Sequence, residues 1–301
     1  MLNTYREAVR ARVLHGLFGL AVATGAYSII VGEFASRSKM RVVSDLGAAT
    51  ISIYGIVVAV VLGASSLYRE LELKTIFPIL TRPIRRWEYL FGKYIGTLLT
   101  VAVFVAANAG GLLIGVGFIS GKPLWLTLLA GPGALVVLGL VAWRAPRQRT
   151  YIPIAGAALL FIFGVLLSAG APDDRAVIVG GACLTLLEVM IVAAIATLFA
   201  AFSSPFLTAV FTFSVFVVGR SADTLASMPE RVFGATIKSI GGALSWIFPN
   251  LMLYVPPRPL LTGEAGESIA SYMASATSQS VLWSLGLLAL ASVIFRRRDF
   301  L

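Results

Sequence analysis

Long apolar runs recur along the chain, separated by short polar stretches, and most approach the roughly 20 residues that a helix needs to cross hydrocarbon. Eight such runs can be read, at about 13–34, 47–67, 94–120, 123–143, 151–170, 176–202, 204–220 and 271–295. Backbone groups in lipid must be satisfied within their own segment, so runs of this length predict helices. The fold expected is all-α and polytopic, a single transmembrane domain over residues 1–301. Pro172, Asp173 and Asp174 break the fifth run from the sixth. Ser203-Ser204-Pro205 breaks the sixth from the seventh, with Ser204 as N-cap and Pro205 at the first helical position. The fourth and fifth runs form a hairpin around Arg144, Arg147 and Arg149, and the seventh is the shortest.

Three stretches fall outside this pattern. Arg6, Arg10 and Arg12 precede an apolar run from Val13 to Val31, longer than the roughly 7–15 residues of a signal-peptide core. It reads as a retained first span with a basic, amphipathic lead-in. The segment from Ser221 to Glu267 mixes apolar residues at helical spacing with Arg231 and Lys238, which predicts amphipathic or re-entrant helices on the outer membrane surface. Pro256, Pro257 and Pro259 then impose an extended connection before the last span. The third stretch is a charged island, Tyr68 to Lys93, reading YRELELKTIFPILTRPIRRWEYLFGK between the second and third spans.

Composition agrees with a membrane protein. The chain is 58% hydrophobic and 13% charged, against about 45–50% and about 25% in soluble domains. One cysteine, Cys183, and one histidine, His15, exclude an intrachain disulfide, a cysteine framework for metal and a histidine-based triad. The net charge of +10 is scattered over loops, so phospholipid and topology account for it better than nucleic acid does. With the N-terminus inside, fifteen of the 24 Lys and Arg residues fall on the inner side, as the positive-inside rule asks. Both termini and the island are therefore expected in the cytoplasm, in a multi-pass protein of the plasma membrane (the bacterial inner membrane). Arg37, Lys39 and Arg41 are a local exception on the far side.

The island is too elaborate for a simple turn. Glu70, Glu72 and Lys74 alternate with Leu71, Leu73 and Ile76-Phe77, and Pro78 and Pro83 limit each helical piece. Such an element has a polar and an apolar side and fits an interfacial groove. Arg85, Arg86 and Lys93 belong at headgroup level, with Trp87 and Tyr89 as interface anchors. The bland alternative is a solvated loop. No G-x-x-x-x-G-K-[ST] phosphate cradle occurs, so the chain is not expected to hydrolyse ATP itself, and energy would come from a partner.

These residues resemble the cytoplasmic loop of type-two ABC exporter permeases. The family pattern appears here as Arg69, Glu70 and Glu72, then Thr75, Ile79-Leu80, Pro83, Arg85-Arg86, Trp87, Tyr89 and Gly92-Lys93. Lys74 departs from it, standing where many members have glycine. The terminal FRRRDF and the Leu198–Pro205 stretch LFAAFSSP resemble the family too. The similarity is nearest to the branch labelled multi-copper-enzyme maturation permease components. The resemblance implies a non-enzymatic transmembrane subunit of an exporter, built on six spans plus the extra hairpin. It implies a second permease copy and a separate cytoplasmic ATPase that binds the ATP, with no cofactor of the chain's own. The docking residues it implies are Arg69, Glu70, Glu72, Lys74, Thr75 and Arg82. Copper cargo has little support, because no cluster of Cys, His or Met is present.

Within the spans, Glu188 lies near the middle of the sixth, where a charge costs about 2.5–3.5 kcal/mol on insertion scales. It reads either as a pathway carboxylate or as a helix-tying side chain. Asn108 reads as interhelical glue, Gly111 and Gly115 as a G-x-x-x-G pair, and His15 as a packed interfacial residue. Asp173-Asp174 reads as a solvated turn. Two other classes are weaker. A secondary transporter working without an ATPase would show internal repeats around a midplane site, and an intramembrane enzyme would need a convergent catalytic set. Neither is evident.

Overall fold

Every element of the computed structural model is helical, across residues 2–10, 12–35, 38–72, 86–145, 148–228, 230–264, 266 and 268–297, the residues it describes. A short α1 (Leu2–Arg10) leads into α2 (Arg12–Phe34), α3 (Lys39–Glu72) and α4 (Arg86–Ile119). The hairpin follows as α5 (Leu124–Arg144) and α6 (Ile152–Leu167). Next come α7 (Pro172–Ala200), α8 (Pro205–Ser227) and α9 (Glu230–Ile247). A single turn, α10 (Arg258–Thr262), precedes the closing helix α11 (Ile269–Arg297). Among the described residues, eight helices are long and apolar enough to cross a membrane: α2 to α8 and α11. The hairpin thus contributes two full spans. Its first helix relaxes into a π turn over Leu129–Gly133, around Pro132, which cannot donate to the helical ladder.

The bundle is built around α7. From Val189 to Ala196 all but one of its residues are buried, a helix apolar and enclosed on nearly every side. It packs against α3, α4 and α11. A second tight crossing joins α4 to α6, where a Cβ on Gly110 would come 2.5 Å from the Leu160 carbonyl carbon. One on Gly164 would come 2.7 Å from the Gly110 oxygen. Only glycine permits this backbone approach. The predicted pair Gly111/Gly115 does not make it: Gly111 faces open space, and Gly115 meets only the end of the Ile29 side chain. The periphery is apolar and open, as with Phe206, Phe213, Leu282 and Leu285, which in this setting face lipid.

Helix ends depart from the apolar runs in one consistent way. The second run begins at residue 47 and the seventh ends at 220, yet α3 starts at Lys39 and α8 continues to Ser227. The added turns carry Ser44 and Asp45 and move Arg220 from the end of a run into the body of a helix; all three are polar residues that find partners inside the protein. Ser204 does occupy the N-cap of α8, but its side chain forms no capping bond there. Pro257 is extended as expected, whereas Pro259 sits in the first turn of α10, a position that tolerates proline. Beyond α8, α9 folds back against it, with Gly241 tight against the backbone at Leu225–Ala226.

The contacts sort the helix ends into two groups. Arg6, Tyr89, Leu90, Tyr151, Ala200 and Phe295 gather at one end. Ser44, Asp45, Ser120, Gly170, Asp174 and Arg258 gather at the other. This alternation is what eight consecutive crossings require.

Candidate functional site

Residues 73–85 lie outside the described part of the chain, and with them Lys74, Thr75, Arg82 and Arg85. Arg69, Glu70 and Glu72 occupy the last turn of α3, and Arg86 is the first residue of α4. α3 and α4 therefore run as helices up to both edges of the segment. Just inside it, Trp87 is exposed, while Tyr89 stacks on Phe295 at 6.2 Å between ring centroids. Leu90, Ala200, Ala201 and Phe295 form a small buried cluster that ties α4 to the ends of α7 and α11. Lys93 is buried, its Nζ 3.7 Å from a carboxylate oxygen of Glu7 on α1. Asn108 is buried, and its amide donates to the Phe104 carbonyl of its own helix at 2.8 Å.

The densest polar chemistry lies nearer the opposite end. Glu188 is fully buried and is not a lone carboxylate: Arg220 grips it with two hydrogen bonds, Nε to Oε1 at 2.9 Å and Nη2 to Oε2 at 2.8 Å. The same Nη2 reaches Ser52 Oγ at 2.9 Å, and the guanidinium lies over the Phe216 ring, 5.1 Å from its centroid. This joins α7, α8 and α3 through one side chain. A planar, two-pronged donor matched to a carboxylate is the geometry that best offsets the cost of burying charge.

A second knot lies beyond it. Arg258 donates from Nη2 to Asp174 Oδ1 at 2.6 Å, and from Nη1 to Asp45 Oδ1 at 2.6 Å and Ser44 Oγ at 2.9 Å. Ser44 in turn donates to Asp174 at 2.7 Å. Burial alone would lower the Arg258 pKa, but the bonds to Asp174 and then Asp45 outweigh it and hold the group above its ordinary value. The predicted solvated turn at Asp173-Asp174 is thus half right. Pro172 opens α7, which leaves Asp173 exposed and turns Asp174 inward, where the helix N-terminus also favours a carboxylate.

Between the two knots lies a cavity of about 300 Å³, lined by Asp45, Ser52, Thr185, Arg220, Tyr254 and Arg258, among others. The Tyr254 hydroxyl donates to the Ala276 carbonyl on α11 at 3.1 Å. Burial, reinforced by the Glu188 charge, raises the phenol pKa, so it stays a donor. Among the described residues no three or more His, Cys, Asp or Glu side chains gather as metal ligands would. The arrangement can hold helices together or part to open a polar path.

A family profile described as "ABC-2 family transporter protein" matches residues 5–300. The chain belongs to the ABC-2 transporter family. It is accordingly a multi-pass transmembrane subunit of an ABC transporter, of the permease type. No curated protein and no solved structure matches it.

Of the residues in this ABC-2 permease's polar knots, the sequence points to Glu188 as a buried carboxylate and to Asp174 only as part of a solvated turn. In the sequence Arg220 reads as the terminus of a short span, although one arginine and one glutamate within apolar helices are each other's natural partners. Arg258, Asp45 and Ser52 carry no local signal. They find their partners only because α3, α7, α8 and α10 converge.

Proposed function

We propose that this permease works as half of an ATP-driven exporter, in which two copies bind two copies of a cytoplasmic ATPase through residues 69–82. The end of the bundle holding Arg6, Tyr89 and Phe295 is the cytoplasmic one in this reading. One observation carries the mechanism: α3 is a single uninterrupted helix from Lys39 to Glu72. At 34 residues and about 1.5 Å per residue it is a rod on the order of 50 Å long. Its inner end includes positions Glu70 and Glu72, and its outer end presents Ser44, Asp45 and Ser52 to Arg258 and Arg220.

Closure of the ATPase pair displaces the inner ends of α3 and α4. Because α3 is continuous, its outer end shifts too, against α7 and α10. The Arg258 and Arg220 contacts to α3 then loosen while the Glu188–Arg220 pair, which lies between α7 and α8, stays intact. The cavity between the knots widens toward the outer surface. The family resemblance of the island supports ATPase docking, and the scarcity of intramembrane carboxylates supports ATP over a proton gradient as the drive.

The test is co-purification of the encoded ATPase with the Glu70→Lys, Glu72→Lys double variant. Close charged pairs across interfaces couple by about 1.5–7 kcal/mol, so the ATPase should be lost at least ten-fold. Lys39→Ala, at the far end of the same helix, should leave its yield unchanged. Wild-type recovery with the double variant would sink the docking assignment. Reporter fusions placing residue 80 outside the cell would reverse the orientation.

A further inference from the structure

A second cavity, of about 350 Å³, lies at the end of the bundle shared by α1 and the α5–α6 turn. That volume falls within the roughly 300–1,000 Å³ usual for small-molecule sites. Its walls are almost entirely apolar: Phe18 from α2, Phe104 from α4, Leu138 from α5 and Leu160 from α6. It reaches the lipid-facing surface at Leu135, which is half exposed. An apolar chain can therefore enter sideways from the bilayer.

Four polar side chains break the apolar lining. His15 and Thr100 are two of them, and Thr100 already donates to the Gly96 carbonyl of its own helix; the other two ask for an acceptor. Tyr5 of α1 is fully buried against the cavity, and its hydroxyl has no hydrogen-bond partner among the described residues. Burial pushes that phenol up to about 12, so at physiological pH it is a neutral donor. Such an orphan typically costs about 1–3 kcal/mol unless something accepts from it. At the rim stands Arg149, exposed and held by its Nε bond to the Ala142 carbonyl at 2.9 Å. Arg6 lies close by, donating to the Tyr151 hydroxyl at 2.6 Å. The carboxylate on α1, Glu7, is answered by Lys93, so the rim's free field is positive.

We propose that this cavity is a resident site for one anionic phospholipid of the adjoining leaflet. An acyl chain fills the space between Phe18, Phe104 and Leu160. The phosphate lies at Arg149 and Arg6, and a small shift of the Tyr5 side chain, whose hydroxyl is otherwise closed off, lets an ester carbonyl accept from it. Basic sites between spans are where anionic headgroups bind. The bound lipid would stitch α1 and the α5–α6 hairpin onto α4, the helix that leads out of the island. This makes the hairpin, additional to a six-span plan, the wall of a lipid site.

The test is native mass spectrometry of the full-length protein in detergent, titrated with dioleoylphosphatidylglycerol or with dioleoylphosphatidylcholine. The wild type should retain one phosphatidylglycerol per chain with at least ten-fold preference over the zwitterionic lipid of the same chains. Arg149→Glu should abolish the preference while tail-driven binding persists. Tyr5→Phe should weaken retention roughly two- to ten-fold, as loss of one hydrogen bond does. Ala107→Trp, which fills the cavity from α4, should block both lipids. Equal retention of the two lipids by the wild type would mean an apolar portal without headgroup recognition, for instance an entry for the transported substrate, and would overturn the proposal. So would an Arg149→Glu protein that keeps its selectivity, and this second arm decides even if Ala107→Trp does not fold.

Discussion

At the end of the bundle that the proposal above turns outward, the outer end, Arg258 and Arg220 clamp Asp45, Asp174 and Glu188 with hydrogen bonds of 2.6–2.9 Å. At the end that the proposal turns to the cytoplasm, the inner end, Tyr89 stacks on Phe295, and Leu90 packs with Ala200 and Ala201. Both sets tie α7 to its neighbours, but they differ in how they can fail. Charged contacts are directional, costly to desolvate and poor at intermediate distances, so a small helix shift exchanges one discrete arrangement for another. Apolar packing is non-directional and tolerates sliding. The inner end is thus built to stay joined while moving, and the outer end to hold firmly or release.

The strongest attack on that contrast is Glu188→Leu. It leaves the Arg220 charge without its buried carboxylate, and breaking one side of such a pair costs about 3–5 kcal/mol. Thermal unfolding of the purified variant in detergent should show it. Adding Arg220→Met should recover most of the loss, since an apolar pair of similar volume is often neutral. A single variant as stable as the wild type would mean that Glu188 and Arg220 do not bear on the fold. Next in size is Arg258→Ala, at about 1.5–3 kcal/mol, because it strips charged hydrogen bonds from Asp174 and Asp45. The effect should be the smaller of the two, since Asp45 is partly exposed and can turn to water.

At the inner end, Leu90→Ala should cost about 2 kcal/mol, the low end for a buried leucine, because its cluster is small. Its distinguishing mark is salt. Unfolding measured in 0.05 and 1 M salt, between which the Debye length falls about four- to five-fold, should give the same loss, as expected of packing alone. A salt-dependent loss would show that charges hold the inner end as well.

The spans were legible because composition alone demands them, and even the extra hairpin at 124–170 stood out as two separate apolar runs. The polar knots were not. Glu188 was visible as an oddity, but its partner Arg220 looked terminal until the helix proved to run seven residues further, to Ser227. Asp174 was hidden by its neighbour, since Asp173-Asp174 after a proline looks wet and helix phase alone turns one residue inward. The glycine seam was misread for a similar reason. Gly110 and Gly111 are adjacent, and only packing against α6 decides that the first makes the crossing. Such facts live in the convergence of distant segments, which no local pattern encodes. The island's docking residues rest on the resemblance, and Lys74, Thr75 and Arg82 lie outside the described helices.

The smallest effect belongs to Arg41, and it tests whether the outer end depends on its buried knots or on charge in general. Arg41 Nε sits 3.7 Å from Asp45 Oδ2, with both side chains well exposed and one helical turn apart. Exposed pairs of this spacing contribute about 0.3–0.5 kcal/mol and fade with salt. Arg41→Ala should therefore shift unfolding by no more than that in low salt and by nothing measurable in 1 M salt. Asp45 keeps its bond to Arg258 in the variant, so the knot should survive. A loss as large as that of Arg258→Ala would show that Asp45 needs both arginines, and that the outer clamp is one extended network in place of a buried knot with a solvated fringe.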